Sequence, residues 1–202
     1  MEDVFSVNYG LRPSSEKLNL KKESFIHDSN QNLKFKKYFE GKDMGYWLIN
    51  NSSYIDYRPD IMYNAMFTEL FETDKLVGLR TLSDITKLRF VYDDEKYYCN
   101  DSVVVLTLWH LFSNVKNETI LRNISKEKVE RSKKYNYLFV QAILNSQLIK
   151  FYVDELLYDG THFYPNHMKS LPIQITTDVV QQLFLKIIKY IHQLSRLDSI
   201  SY

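Results

Sequence analysis

One cysteine, four prolines and five glycines in 202 residues leave little room for several kinds of chemistry. The lone Cys99 excludes a disulfide framework within the chain and any site built on several thiolates, and its position in the β-forming run YYCN reads as a packed thiol. The glycines are dispersed, so there is neither a phosphate-cradling glycine loop nor a Gly-x-Ser-x-Gly elbow. The histidines, His27, His110, His162, His167 and His192, are scattered without zinc-ligand spacing, and no metal or cofactor is expected on this chain. No apolar run approaches the ~20 residues of a membrane helix, and none follows Met1 as a secretory leader would. The expectation is a cytoplasmic chain with no membrane partner.

Charge of one sign is also lacking. Twenty-six basic residues stand against 25 acidic ones, a net charge of +1, which argues against a general polyanion-coating protein but permits a basic face. What the chain has in quantity is aromatic rings: 16 Tyr, 12 Phe and 2 Trp make up 15% of residues, and most are expected as core packing. A chain of this length buries roughly 70% of its unfolded surface, enough for one domain or one domain and an appended helix.

The pattern along the chain divides in two. Residues 3–10 (DVFSVNYG) alternate and stop at glycine, as a short strand does. Leu33, Phe35, Tyr38 and Phe39 suit a second strand, Gly41-Lys42-Asp43 a turn, residues 44–49 another strand, and residues 54–57 an extended piece before Arg58-Pro59. Residues 64–74 (NAMFTELFETD) have helical spacing, KLVGLRT is a compact buried strand, and SVVVLTLW (102–109) is a central one. LRFVYDDEKYYCN (88–100) reads as a hairpin turning at Asp93-Asp94-Glu95-Lys96. After residue 109 the character changes: a charged passage (116–134), one long helix over 135–158 that ends near Gly160, and a second helix over 177–197. In that last helix Asp178 and Gln181 have capping-box spacing, and Val180, Leu183, Phe184, Ile187, Ile188, Ile191 and Leu194 form an apolar stripe. The fold class expected is α+β: a mixed, mostly antiparallel sheet with a long packing helix and a C-terminal helix.

Catalytic signatures are sparse. Asp60 after Pro59, followed by Asp94-Glu95-Lys96, mimics the spaced carboxylates and lysine of a metal nuclease, but a polar exposed turn explains the second piece without chemistry. The Asn/Asp-Pro-Pro-aromatic motif of adenine methyltransferases is absent.

The order and spacing of several pieces together resemble a known family. These are DVFSVNYGLRPSSEK, YFEGKDMGYW, SSYIDYRPD, AMFTELFETDKLVGLRTLSD, VYDDEKYYCNDSVVVL and LNSQLIKFYVDELLYDGTHFYPNHMKSLPI, spanning residues 3–173. The family is the TaqI-like C-terminal specificity domain, the target recognition domain of adenine-specific DNA methyltransferases and fused restriction-modification enzymes. The chain departs from the family pattern at Gly78-Leu79, where a basic or hydrophobic residue usually precedes the position of Arg80, and at Met44, where isoleucine is usual.

The resemblance implies a non-catalytic DNA target recognition domain over residues 1–175, followed by a helix over 176–202 that packs on the domain or on a missing partner. It implies binding of double-stranded DNA in a bacterial restriction-modification or phage-defence system. A methyltransferase domain, and an endonuclease domain where one exists, would act in cis or in trans, with S-adenosylmethionine bound only there. Base flipping by such a catalytic partner demands a separate grip on the flanking duplex, made by side chains that match base-edge donors and acceptors. The residues this points to are Lys42, Arg80, Thr81, Ser83, Lys87, Arg89, His162, Tyr164 and Lys169, with Thr161 beside them on a loop (161–167) expected to project toward nucleic acid. The alternative is a protein-protein interaction module, or a subunit of a phage-defence complex, that associates through the helix at 178–197.

Overall fold

The two runs richest in aliphatic residues, VVVLTL and KLVGL, lie side by side at the centre of an antiparallel sheet, and every residue of both is buried. The computed structural model describes residues 1–30, 34–161 and 163–200. Among them are the strands β1 (Phe5–Tyr9), β2 (Ile26–His27), β3 (Lys36–Phe39), β4 (Ser53–Ile55), β5 (Lys75–Leu79), β6 (Phe90–Asp93), β7 (Tyr98–Cys99) and β8 (Val103–Leu108). The helices are α1 (Glu118–Asn123), α2 (Lys126–Ser132), α3 (Tyr137–Leu144), α4 (Gln147–Leu156), α5 (Pro165–Ser170) and α6 (Asp178–Ile200). One sheet has the order β1-β8-β5-β6, antiparallel throughout; the other has the order β2-β4-β3-β7, with its β3–β7 pair parallel. The class is α+β, with mostly antiparallel sheets and a C-terminal helix, as the pattern of residues indicates.

Gly78 sits inside β5 because no side chain fits there. A Cβ at that position would stand 2.6 Å from the ring of Phe90, its cross-strand neighbour on β6. The same register sets Lys75 opposite Asp93, and both side chains are completely buried, with Nζ 2.6 Å from Oδ2. Lys75 also donates to the carbonyl of Phe71, and Asp93 accepts from the N–H groups of Glu95 and Tyr97. Burial raises the Asp93 carboxyl above its usual range, against the opposing pull of Lys75 and the two N–H donors.

Several expectations change. Strands β6 and β7 do not form a hairpin: β6 pairs with β5 and β7 with β3, so residues 94–97 carry the chain from one sheet to the other. The inward-turned Asp93 and the left-handed Lys96 (φ 63°) redirect the chain where a hairpin would need cross-strand pairing. Residues 64–74 are not a helix, because Met66 is left-handed (φ 57°) and Phe67 extended, leaving one 3-10 turn at Thr68–Leu70 that buries Leu70 and Phe71. Residues 44–49 form a loop closed by a single Met44–Ile49 bridge, with the Trp47 carbonyl accepting from Gln141. Leu33 lies outside the described residues.

The helix expected over 135–158 is two helices broken at Asn145-Ser146. The Asn145 carboxamide accepts from the N–H of Phe90 (2.8 Å) and donates to its carbonyl (2.9 Å), satisfying the outer edge of β6 as a strand would. Ser146 then caps α4 by accepting from the Ile149 N–H. Gly160 is left-handed (φ 92°), but α4 ends before it, at Leu156.

Helix α6 packs along α3. Gln181 spans the gap, accepting from the Asn136 N–H and donating to the Lys134 carbonyl, so its side chain serves α3 and not a capping box. Phe184 meets Phe139 edge-on, and His192 Nε2 lies 3.2 Å from Gln141 Oε1. Among the described residues no helix is long and apolar enough to cross a membrane.

Two stability predictions follow from these contacts. Lys75→Met strands a buried carboxylate and should cost about 3–5 kcal/mol in urea unfolding. The double variant Lys75→Met/Asp93→Asn removes both buried charges but keeps an acceptor oxygen for only one of the Glu95 and Tyr97 N–H groups, so it should regain part of that loss; a single-variant loss below about 1 kcal/mol would remove the pair from its role. His192 is pushed below its ordinary value by burial and then by the Arg196 charge, against a smaller pull from Asp94, and burial lowers His110 as well. A depressed folded value means stability is present above about pH 6.5 and is lost as pH falls through the folded pKa values. Urea midpoints measured across that range should fall on acidification, and His192→Gln should flatten part of the slope.

Candidate nucleic-acid interface

The end of β5 feeds a segment in which alternate residues face opposite sides. Leu79, Thr81 and Ser83 line a groove of about 490 Å³, together with Glu40, Gly41 and Lys42 after β3, Lys87 and Arg89 before β6, and Asn100 and Ser102 before β8. Its parts are tied to each other: the Gly41 N–H donates to Ser102 Oγ (3.1 Å), and Ser102 Oγ donates to Asn100 Oδ1 (2.6 Å). Asp84 holds the loop by accepting from the Thr86 N–H at the start of a 3-10 turn.

The electrostatics of the groove are uneven. Lys42 is 75% exposed and lies 3.6 Å from Glu40, whose carboxylate is already engaged by Lys22 at 2.8 Å and by the Tyr38 hydroxyl. Burial opposes ionisation of Glu40, but the Lys22 and Tyr38 hydrogen bonds and the Lys22 and Lys42 charges together hold it below its usual range. Lys87 reaches Asp84 only at 4.0 Å. Arg89 is half-buried; its Nε has no hydrogen-bond partner among the described residues, and burial pushes its pKa below the usual arginine value. A half-buried guanidinium without a counter-charge is a costly arrangement that an incoming anion or carbonyl would relieve.

The structure thus brings together Lys42, Thr81, Ser83, Lys87 and Arg89, five of the nine residues singled out from the sequence. Arg80 and Tyr164 meet elsewhere. The Arg80 guanidinium stacks over Tyr9 (5.0 Å) and Tyr164 (6.0 Å), and its Nη1 donates to the Asp101 carbonyl at 3.2 Å. Asp101 also pairs with Arg12 at 2.5 Å. Lys169 stands apart from both groups, beside Trp109 and Lys128 in a small cavity against β1. His162 lies outside the described residues. The described residues on either side of His162 are held against the body: Leu82 donates to the Thr161 carbonyl, Phe163 donates to the Arg80 carbonyl, the Phe163 ring is buried, and α5 begins at Pro165.

Asn100 and Ser102 escaped the sequence reading. Their signal was the polar triplet Asn100-Asp101-Ser102 interrupting two β-forming runs, which places hydrogen-bonding side chains at the mouth of the central strand. For the nuclease pattern, Glu95 pairs with Lys37 at the surface, and among the described residues no three His, Cys, Asp or Glu side chains gather as a metal site would require.

The contrast between Arg80 and Lys42 is measurable. Arg80→Ala removes a charge-assisted hydrogen bond and ring stacking and should lower stability by roughly 2 kcal/mol, whereas Lys42→Ala should stay within about 0.5 kcal/mol. Equal thermal midpoints for the two variants would show that Arg80 is not a structural arginine. Comparison with models of known families and with curated proteins gives no match to this chain.

Proposed function

We propose that the chain reads duplex DNA, as the non-catalytic specificity domain of an N6-adenine methyltransferase in a restriction-modification system. The observation that supports this reading is the groove that Arg89, whose Nε has no partner among the described residues, lines with Lys42, Lys87, Thr81, Ser83, Asn100 and Ser102, Glu40 being its one carboxylate among the described residues. Lysines suit phosphate oxygens; a guanidinium fork, hydroxyls and a carboxamide suit base edges, and a DNA-reading surface needs both kinds. The net charge of +1 makes the grip local, so affinity rests on this face and on whatever a catalytic partner adds. Methyl transfer, S-adenosylmethionine and any cleavage belong to partner domains in cis or in trans, in the cytoplasm where the DNA lies. The resemblance of the ordered motifs to TaqI-like specificity domains supports the same reading independently of the groove.

Fluorescence anisotropy with labelled duplexes over a salt series tests it. Binding should weaken along a straight log–log line, and Lys42→Ala/Lys87→Ala/Arg89→Ala should reduce the magnitude of the slope by roughly 2–3. Arg89→Ala alone should relax discrimination at one base position by ~1–3 kcal/mol if its fork meets a guanine. No duplex binding at low salt, or a folded triple variant that binds like the parent, would sink the proposal.

A further inference from the structure

Helix α6 carries two apolar faces, and α3 accounts for only one of them. Gln181, Phe184, Ile188 and His192 face the body of the protein, with Ile188 fully packed. The other face consists of Val180, Leu183, Ile187, Tyr190, Leu194 and Leu197, which are 38–64% exposed. The exposed polar residues Gln182, Lys186, Lys189 and Gln193 form a strip along one flank of that second face. A surface helix ordinarily has one apolar face, so this one has more than its own domain covers.

The spacing of the exposed face specifies what covers it. Its residues recur at intervals of three, four, three, four and three, the a and d positions of a heptad repeat. That repeat matches a second helix winding along the first, and neither a sheet nor a DNA groove has reason to select it. The residues also complement one another under a two-fold axis passing beside the middle of the helix. In an antiparallel pair each a position faces a d position of the other copy, which sets Val180 against Leu197, Leu183 against Leu194, and Ile187 against Tyr190. The smallest residue therefore meets a large one at each end, and the two tyrosines pack on isoleucines. A parallel pair would instead stack Tyr190 on Tyr190. Covering six large side chains at these exposures on two copies reaches about the ~1,200 Å² at which specific interfaces begin.

We propose that α6 joins two copies of this chain as an antiparallel two-stranded coiled coil along this seam, whatever the groove binds. Sedimentation velocity on the full 202-residue chain should give twice the 24.2 kDa mass at micromolar concentration. Leu183→Glu/Leu194→Glu should sediment as a monomer with an unchanged far-UV circular dichroism spectrum, since both side chains are solvent-exposed. Mixing Leu183→Glu with Leu194→Lys should restore a dimer, because those positions face each other only in the antiparallel arrangement; restoration by Leu183→Glu with Leu183→Lys instead would overturn the orientation. A wild-type monomer across the micromolar range, or a double variant that stays dimeric, would overturn the proposal. Flotation of a monomeric wild type with anionic vesicles, lost in the double variant, would overturn it in favour of a membrane-surface helix.

Discussion

The charge pair between Lys75 and Asp93 is the constraint on which most of the architecture turns. Two ions with no solvent exposure are tolerated only if they pair and find further hydrogen-bond partners. Lys75 has the carboxylate and the Phe71 carbonyl, and Asp93 has the ammonium and two backbone N–H groups. Those requirements fix three things at once: the β5–β6 register, the position of the 3-10 turn that brings Phe71 over the pair, and the path of residues 94–97. That path delivers Tyr98 and Cys99 to the second sheet, where Tyr98 stacks on Phe71. Burial of such a pair adds little stability compared with apolar replacements, whereas removing one partner alone leaves an uncompensated buried charge.

The groove inherits its shape from this frame. Gly78 admits the Phe90 ring near the end of β5, and the Asn145 carboxamide holds the Phe90 backbone from the other side. Arg89 immediately precedes that clamped residue. Its half-buried position follows from a backbone held at Phe90, with no carboxylate placed to meet it. The preorganisation is therefore in the backbone, while Lys42 and Lys87 remain solvated side chains able to move toward a ligand.

How much of this was legible in the sequence depends on where the deciding contact lies. β5 and β8 were readable because continuous aliphatic runs report burial on both faces. The C-terminal helix was readable because its periodicity is local. The false hairpin and the unbroken helix share one cause: Asp93 and Asn145 are polar residues whose surroundings look like a turn and a helix interior, and their partners lie far away in sequence, at Lys75 and Phe90. Periodicity cannot see a long-range hydrogen bond. The left-handed Met66 likewise defeats the helical spacing of residues 64–74, since a non-glycine residue at positive φ carries no sequence mark. Five of the residues that the resemblance pointed to line one groove, Lys42 from the turn after β3 and the other four from the segment between β5 and β6, and Arg80 was grouped with them because adjacent positions look alike until the pleat separates them.

Arg80 and Arg89 make the physical point most directly. They are the same residue type, at the two ends of one loop, and although the buried Nε of each lacks a hydrogen-bond partner among the described residues, the fold surrounds them differently. Arg80 emerges from β5 onto the face where Tyr9, Tyr164 and the Asp101 carbonyl already stand, so its charge is spent on joining β1, β5 and the start of α5. Arg89, just before β6, lines the groove with Lys42, Lys87, hydroxyls and Glu40, and among the described residues no carboxylate pairs with it. An arginine enclosed by tyrosines and a carbonyl has lost most of the freedom a ligand-reading residue needs. One held half-buried without a counter-charge keeps both its donors and an unfavourable desolvation that a ligand can relieve. The proposed reading of DNA therefore rests on the groove side of the sheet.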